Sequence, residues 1–119
     1  MSYLYVHEDQ CRKLLGKPFT AVHEFLDQHY LPLDNPSEAH LHRKHLHHWG
    51  GVKKARQMFG RYGSQAAIIH ILEDCLGYIP KPNDYKDGKV DDYGCPIDSA
   101  KMDTHWFEHV QKRQKAHPL

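Results

Sequence analysis

The sequence has no long apolar run, almost no net charge and few cysteines, and each shortage excludes a class of protein. No stretch approaches the roughly 18 apolar residues of a membrane-spanning helix, so we expect no membrane span. Sixteen Lys and Arg residues balance 15 Asp and Glu residues, so the net charge of +1 does not indicate a nucleic-acid partner. The three cysteines are widely spaced and no apolar signal segment opens the chain, so we expect a cytoplasmic location.

Several catalytic signatures are also missing. The sequence contains no Walker-type phosphate loop, no GxSxG nucleophile elbow and no CxxC pair. We therefore do not expect P-loop phosphoryl transfer, serine hydrolysis or a zinc site built from cysteines. At 119 residues the chain has the length of one domain, 1–119, with a modest core.

Histidine, by contrast, is abundant. Twelve residues are His, and five of them fall within nine positions of the segment HLHRKHLHHWGG at 40–51. Asn35 is a good N-cap and Pro36 suits the first helical position, so a helix should begin near Pro36. Gly50–Gly51 should end that helix or kink it. The histidine cluster is therefore predicted to lie on a helix that ends at a bend.

Helical spacing separates these histidines. His42 shares the apolar face with Leu46 and Trp49, so it should point inward. His45 or His48 should lie beside it, on an adjacent face. The remaining histidines of the cluster should be solvated.

Hydrophobic periodicity predicts helices in most of the chain. Besides the histidine cluster, apolar stripes at helical spacing occupy five segments, which are 3–15, 20–29, 52–59, 64–76 and 100–115. Residues 77–99, rich in Pro, Asp and Tyr, have no such period and should form an irregular loop or lid. We predict an all-α fold, a compact bundle of about five or six helices with a long irregular segment before the C-terminal helix. Its expected core residues are Leu14, Phe25, Leu46, Trp49, Ile68, Leu72 and Trp106.

Two short strings place histidine and aspartate together. HEFLD at 23–27 and HILED at 70–74 each carry His and Asp four residues apart, on one helix face. Imidazole and carboxylate are ligands for Zn, Fe, Mn or Ni, and helical bundles build such sites from inward-facing side chains. Alternatively, each Asp orients its own His without touching a metal, or both pairs are solvated and contribute roughly 0.2–0.5 kcal/mol each.

We predict a divalent transition metal, Zn, Fe, Mn or Ni, as cofactor. The predicted ligands are His23, Asp27, His42, His47, His48, His70 and Asp74. Glu73 or Glu24 would transfer the proton in a hydrolytic reaction. His7 lies on an apolar helix face, where a histidine is more often a hydrogen-bonded core residue than a ligand.

These segments resemble a family of small His-rich bacterial and phage proteins of unknown function. The shared pattern is a His followed by a Gly nine residues later at 7–16, HExxD at 23–27, HRxxxHHxxG at 42–51, and H(I/V)xED with LGxIP at 70–80. It covers about three quarters of the chain. Cys75 is an extra residue within the pattern, and His45 is not part of it. The resemblance therefore favours His47 and His48 over His45 as ligands.

The histidines on successive helices are more loosely similar to those of HD-domain metal hydrolases, although the adjacent His-Asp dyad of those enzymes is absent. This similarity implies a metal-dependent hydrolase that acts on a small anionic substrate, a phosphoester or nucleotide-like molecule. The alternatives are a non-catalytic metal-binding or partner-binding module, of the kind a phage carries, and a pH-responsive protein whose imidazoles titrate near neutrality.

Overall fold

The computed structural model describes residues 4–28 and 43–116. In chain order its helical elements are α1 (Leu4–Leu15), α2 (Thr20–Leu26), α3 (Arg43–Leu46), α4 (Trp49–Asp74), a 3-10 turn (Ser99–Lys101) and α5 (Trp106–Ala116). No β-strand occurs in these two ranges, where a single isolated bridge joins Val90 and Pro96.

The all-α class is confirmed for the part of the chain that the structure describes. Four of its α-helices are longer than one turn and α3 is a single turn, so the predicted number of five or six helices is not confirmed. α4 contains a break at Gly60, whose φ of 79° and ψ of −169° are not helical. This break lies where we predicted the helix over 52–59 to end.

The helix end or kink predicted at Gly50–Gly51 is misplaced: the chain bends at His47–His48, and both glycines lie in the first turn of α4. The ring of His48 caps this helix: its Nδ1 accepts from the N–H of Gly50 at 3.0 Å. A Cβ on Gly51 would collide with the carbonyl oxygen of Leu46, so glycine permits the close approach of α3 to the start of α4. Glycine at position 51 therefore allows α3 to pack closely against the start of α4.

The apolar core lies where α1, α2, α3 and α4 pack together. Leu14 and Leu46 are buried as predicted, whereas Phe25, Ile68, Leu72 and Trp106 are partly buried against the core. The prediction for Trp49 is wrong, since it is 47% exposed. It opens α4 rather than closing the preceding helix, and its backbone N–H donates to the carbonyl of Pro80 at 2.9 Å.

The predicted irregular segment before the last helix is confirmed, and it is held by buried polar contacts. The carboxylate of Asp84, only 3% exposed, accepts from the hydroxyl of Tyr78 at 2.8 Å and from the N–H of Lys81 at 2.9 Å. The hydroxyl of Tyr85 donates to the backbone carbonyl of His47 at 2.8 Å. The segment is thus attached to the chain just before α4.

Two predictions concern residues outside the described ranges. They are the start of a helix near Pro36 and the metal ligand His42. Within the described ranges, no helix combines the length and hydrophobicity that crossing a membrane requires.

Candidate metal centre

A cluster of imidazoles and carboxylates lies inside the fold, where α1, α2 and α4 meet. Its histidines are almost wholly buried, with exposures of 0–1%. α1 and α2 contribute through the face that carries their buried apolar residues, whereas α4 contributes through its polar face. The cluster consists of His7 from α1, His23 and Asp27 from α2 and its C-cap, His47 from the α3–α4 connection, and His70, Glu73 and Asp74 from α4.

Two carboxylates and two imidazoles converge at its centre. Asp27 Oδ1 lies 3.1 Å from His47 Nε2 and 3.3 Å from His70 Nε2. Asp74 Oδ2 lies 3.5 Å from both His47 Nδ1 and His70 Nε2. The rings of His47 and His70 are nearly perpendicular, at 87°, and with Asp27 they offer ligand atoms that all lie within 4.8 Å of one another.

These separations fit a metal ion. Ligand atoms at 2.0–2.2 Å from a tetrahedral or octahedral ion are about 3.0–3.6 Å from one another. Three separations at the centre of the cluster, 3.1, 3.3 and 3.5 Å, fall in that range and can belong to one ion. The fourth joins Asp74 to the other ring nitrogen of His47, Nδ1, and one ion cannot bind both nitrogens of a ring. Asp27, His47 and His70 form one group that could hold an ion, and His7, His70 and Asp74 form a second.

His7 lies at the edge of the cluster, although we did not predict it as a ligand. Its ring stacks on that of His70 with centroids 3.7 Å apart and an interplanar angle of 19°. Its Nε2 is 3.5 Å from Asp74 Oδ1, and its Nδ1 is 3.7 Å from Glu73 Oε2. The sequence signal for His7 was its place in the family-like pattern.

The electrostatics favour a neutral imidazole at His70 and an ionised carboxylate at Asp74. Burial lowers the pKa of His70 to about 3, although the carboxylate of Asp27 acts in the opposite direction. Burial alone would raise the pKa of Asp74, but the surrounding imidazoles outweigh it and hold that pKa below the usual range. Neutral imidazole and ionised carboxylate are the forms that bind metals.

The other predicted site residues lie elsewhere or act differently in this geometry. His48 is the N-cap of α4, and its Nε2 donates to the carbonyl of His45 at 3.0 Å. Glu24 is exposed on α2, whereas the side chain of Glu73 is 18% exposed at the edge of the cluster. His23 is buried in the cluster with its Nδ1 against His70. The ligand roles of His48 and His23 and the proton-transfer role of Glu24 stay predictions.

No family model, curated protein or solved structure matches this chain. The case that the buried His/Asp groups could bind a metal ion therefore rests on their geometry alone.

Proposed function

We propose that Asp27, His47, His70 and Asp74 bind a divalent transition metal and that the protein hydrolyses a phosphoester or nucleotide-like substrate at it. One observation carries the proposal: His70 Nε2 is buried, has no hydrogen-bond partner among the described residues, and faces two carboxylate oxygens at 3.3 and 3.5 Å. A buried polar atom without a partner is costly. An ion between these three atoms would satisfy all of them.

A divalent ion bound there would supply Lewis acidity, which lowers the pKa of water and attracts an anionic substrate. The side chain of Asp27 is 32% exposed, so substrate and solvent would reach the site past this carboxylate. The carboxylate of Glu73 lies at the edge of the cluster, 3.7 Å from His7 Nδ1, and is partly exposed. In the proposal it would accept a proton from the attacking water and return it to the leaving oxygen. Glu73, rather than the exposed Glu24, has this role in the proposal.

The irregular segment 78–98 supports the same site from outside. Tyr85, which lies within it, donates a hydrogen bond to the carbonyl of the proposed ligand His47. A backbone held in this way keeps the imidazole in place, and pre-organised ligands favour binding.

Elemental analysis of protein purified without a histidine tag tests metal binding. We expect stoichiometric divalent transition metal in the native chain and loss of most of it in Asp27→Asn and His70→Ala. The exposed His105 provides a matched control, because His105→Ala also removes one imidazole but leaves the cluster intact. A native protein without metal would contradict the proposal.

A panel of nucleotides and generic phosphoesters, assayed with Mn, Fe, Ni, Co and Zn in turn, tests hydrolysis. We expect turnover that falls by about 10²–10⁴-fold in Glu73→Gln, because this variant loses the group that transfers the proton. Its metal content should stay at the native level. Activity unchanged in Glu73→Gln would remove that residue from the reaction.

A second candidate, a non-catalytic metal-binding module, is favoured by the burial of the ligands. The side chains of His47, His70 and Asp74 are only 0–2% exposed, as in closed structural metal sites. Metal-loaded protein that is inert toward every substrate would favour this candidate over the hydrolase.

A further inference from the structure

Both ring nitrogens of His23 are engaged by the protein. Its Nε2 is 2.9 Å from the carbonyl oxygen of Pro18, and its Nδ1 is 2.9 Å from Nδ1 of His70. The side chain is 0% exposed, so water does not compete for either position. These two contacts determine where the protons lie.

A carbonyl oxygen can only accept a hydrogen bond, so the Nε2 of His23 must carry a proton. A neutral imidazole carries one proton, which leaves His23 Nδ1 as an acceptor. The nitrogen that faces it, His70 Nδ1, must then be the donor. In a neutral His70 the remaining nitrogen, Nε2, consequently has a lone pair.

Neutral rings are what this environment favours. His23 and His70 are both 0% exposed, and burial disfavours a charged imidazole. In the opposite arrangement the proton of His70 is on Nε2, so Nδ1 of His23 would have to donate. Nε2 of a neutral His23 would then have no proton, and its lone pair would face the lone pairs of the Pro18 carbonyl oxygen. Only one neutral arrangement satisfies both 2.9 Å contacts.

We propose that His23 is a positioning residue: by accepting from His70 Nδ1, it holds His70 in the tautomer whose Nε2 lone pair faces Asp27 and Asp74. This inference rests on the proposed metal site, and it assigns His23 a role different from the ligand role that the sequence suggested. A histidine that binds metal through one nitrogen commonly donates from its other nitrogen to a neighbouring acceptor. Here that acceptor is a second imidazole, oriented in turn by a backbone carbonyl.

The backbone around Pro18 is shaped to present that carbonyl. The peptide plane that carries it joins Pro18 to Phe19, the N-cap of α2, which has φ 53° and ψ 43°. This left-handed conformation is uncommon for a residue with a bulky side chain. The φ of Phe19 sets the angle between the carbonyl of Pro18 and the helix that bears His23. The left-handed conformation of Phe19 therefore helps to orient the Pro18 carbonyl toward His23.

Long-range ¹H–¹⁵N correlation spectra of the full, metal-free chain at neutral pH locate the imidazole protons. Comparison with spectra of His23→Asn and His70→Asn assigns the two rings. We expect a proton on His23 Nε2 and on His70 Nδ1, and a lone pair on His70 Nε2. A proton on His70 Nε2, or protons on both nitrogens of His23, would overturn the proposal. This measurement needs no bound metal, so its failure is distinct from failure of the proposed function.

Metal affinity provides the second readout. His23→Leu removes the acceptor, and we expect the affinity for Zn or Mn to fall about 10–100-fold with unchanged stoichiometry. His23→Asn keeps an acceptor oxygen near the position of Nδ1 and should recover part of that loss. Reduced stoichiometry in His23→Leu would instead make His23 a ligand, and native affinity in that variant would refute the positioning role.

Discussion

In the C-terminal half of α4, the polar face that carries His70 and Asp74 is more deeply buried than the apolar stripe formed by Ile68 and Leu72. His70 and Asp74 point toward α1 and α2 and are 0% and 9% exposed. Ile68 and Leu72 lie on the opposite side and are only partly buried. A cavity of about 410 Å³, lined also by Trp106, lies beside that apolar face, while α5 packs against α1.

This difference shows which face carries a cost of burial that other interactions must offset. Burying an unsatisfied polar group costs about 1–3 kcal/mol, whereas partial exposure of an aliphatic side chain is ordinary. Asp84 shows that the protein can satisfy a buried carboxylate with its own O–H and N–H donors. His70 Nε2 has no such partner in the described residues. The polar face of α4 is therefore the face whose stability should depend on an ion.

The largest expected effect comes from the polar face. In the proposed site a metal at 1,000 times its Kd would stabilise the native chain by roughly 4 kcal/mol, because it binds only the folded state. His70→Ala should abolish most of this gain and lose far less stability after chelation. Denaturant unfolding with and without a chelator measures both quantities. Equal losses in the two conditions would make His70 an ordinary core residue.

The apolar face provides the contrasting variant. Leu72→Ala should lower the free energy of unfolding by roughly 2 kcal/mol, at the low end for buried leucines, because Leu72 is only partly buried. The loss should be the same in metal-loaded and chelated protein, as measured in the same titrations. A loss that depended on metal would mean that the two faces are energetically coupled.

Asp84 can be compared with Asp74, because it is a buried carboxylate outside the proposed metal site. Burial alone would raise its pKa, but hydrogen bonds from Lys81 and Tyr78 outweigh burial and lower it. The carboxylate thus stabilises the fold above its unfolded-state pKa of about 3.9, and this contribution is lost as the pH falls through the lower folded-state pKa. Asp84→Asn should lose roughly 1.5 kcal/mol at pH 7, with or without chelator.

Acid unfolding curves test the direction in which the stabilisation by Asp84 changes with pH. The stability of wild type and of Asp84→Asn should converge as the pH falls below the unfolded-state pKa. A gap between the two proteins that stayed constant through the acid range would show that the charge of Asp84 contributes nothing.

The smallest expected effect tests the attachment of the irregular segment to the site. Tyr85→Phe removes the hydrogen bond to the carbonyl of His47 and should lower the free energy of unfolding by about 1 kcal/mol. Because that carbonyl belongs to a proposed ligand, metal affinity should also fall slightly, as isothermal titration calorimetry would show. Tyr62→Phe, at an exposed tyrosine of α4, is the matched control. Equal metal affinities in the two variants would separate the segment from the site.

Local pattern predicted the helices and part of the site. Apolar periodicity indicated α1, α2 and the end of α4, because neighbours along a helix determine this signal. The spacing of four residues placed His70 and Asp74 on one face, and both are buried in the structure.

The composition of the cluster depended on contacts between distant parts of the chain. His23 meets His70 across 47 positions, and His47 meets Asp27 across 20. Which nitrogen faces which oxygen depends on how helices approach and rotate against one another, and periodicity within one helix carries no information on that. The same reason explains Trp49 and Gly51: their surroundings come from Pro80 and Leu46, across a helix start that local signals assigned as a helix end. The sequence by itself determined the helical class and the supply of imidazole and carboxylate, whereas tertiary packing decided which of these groups converge, because only packing sets distances of a few ångströms between separate helices.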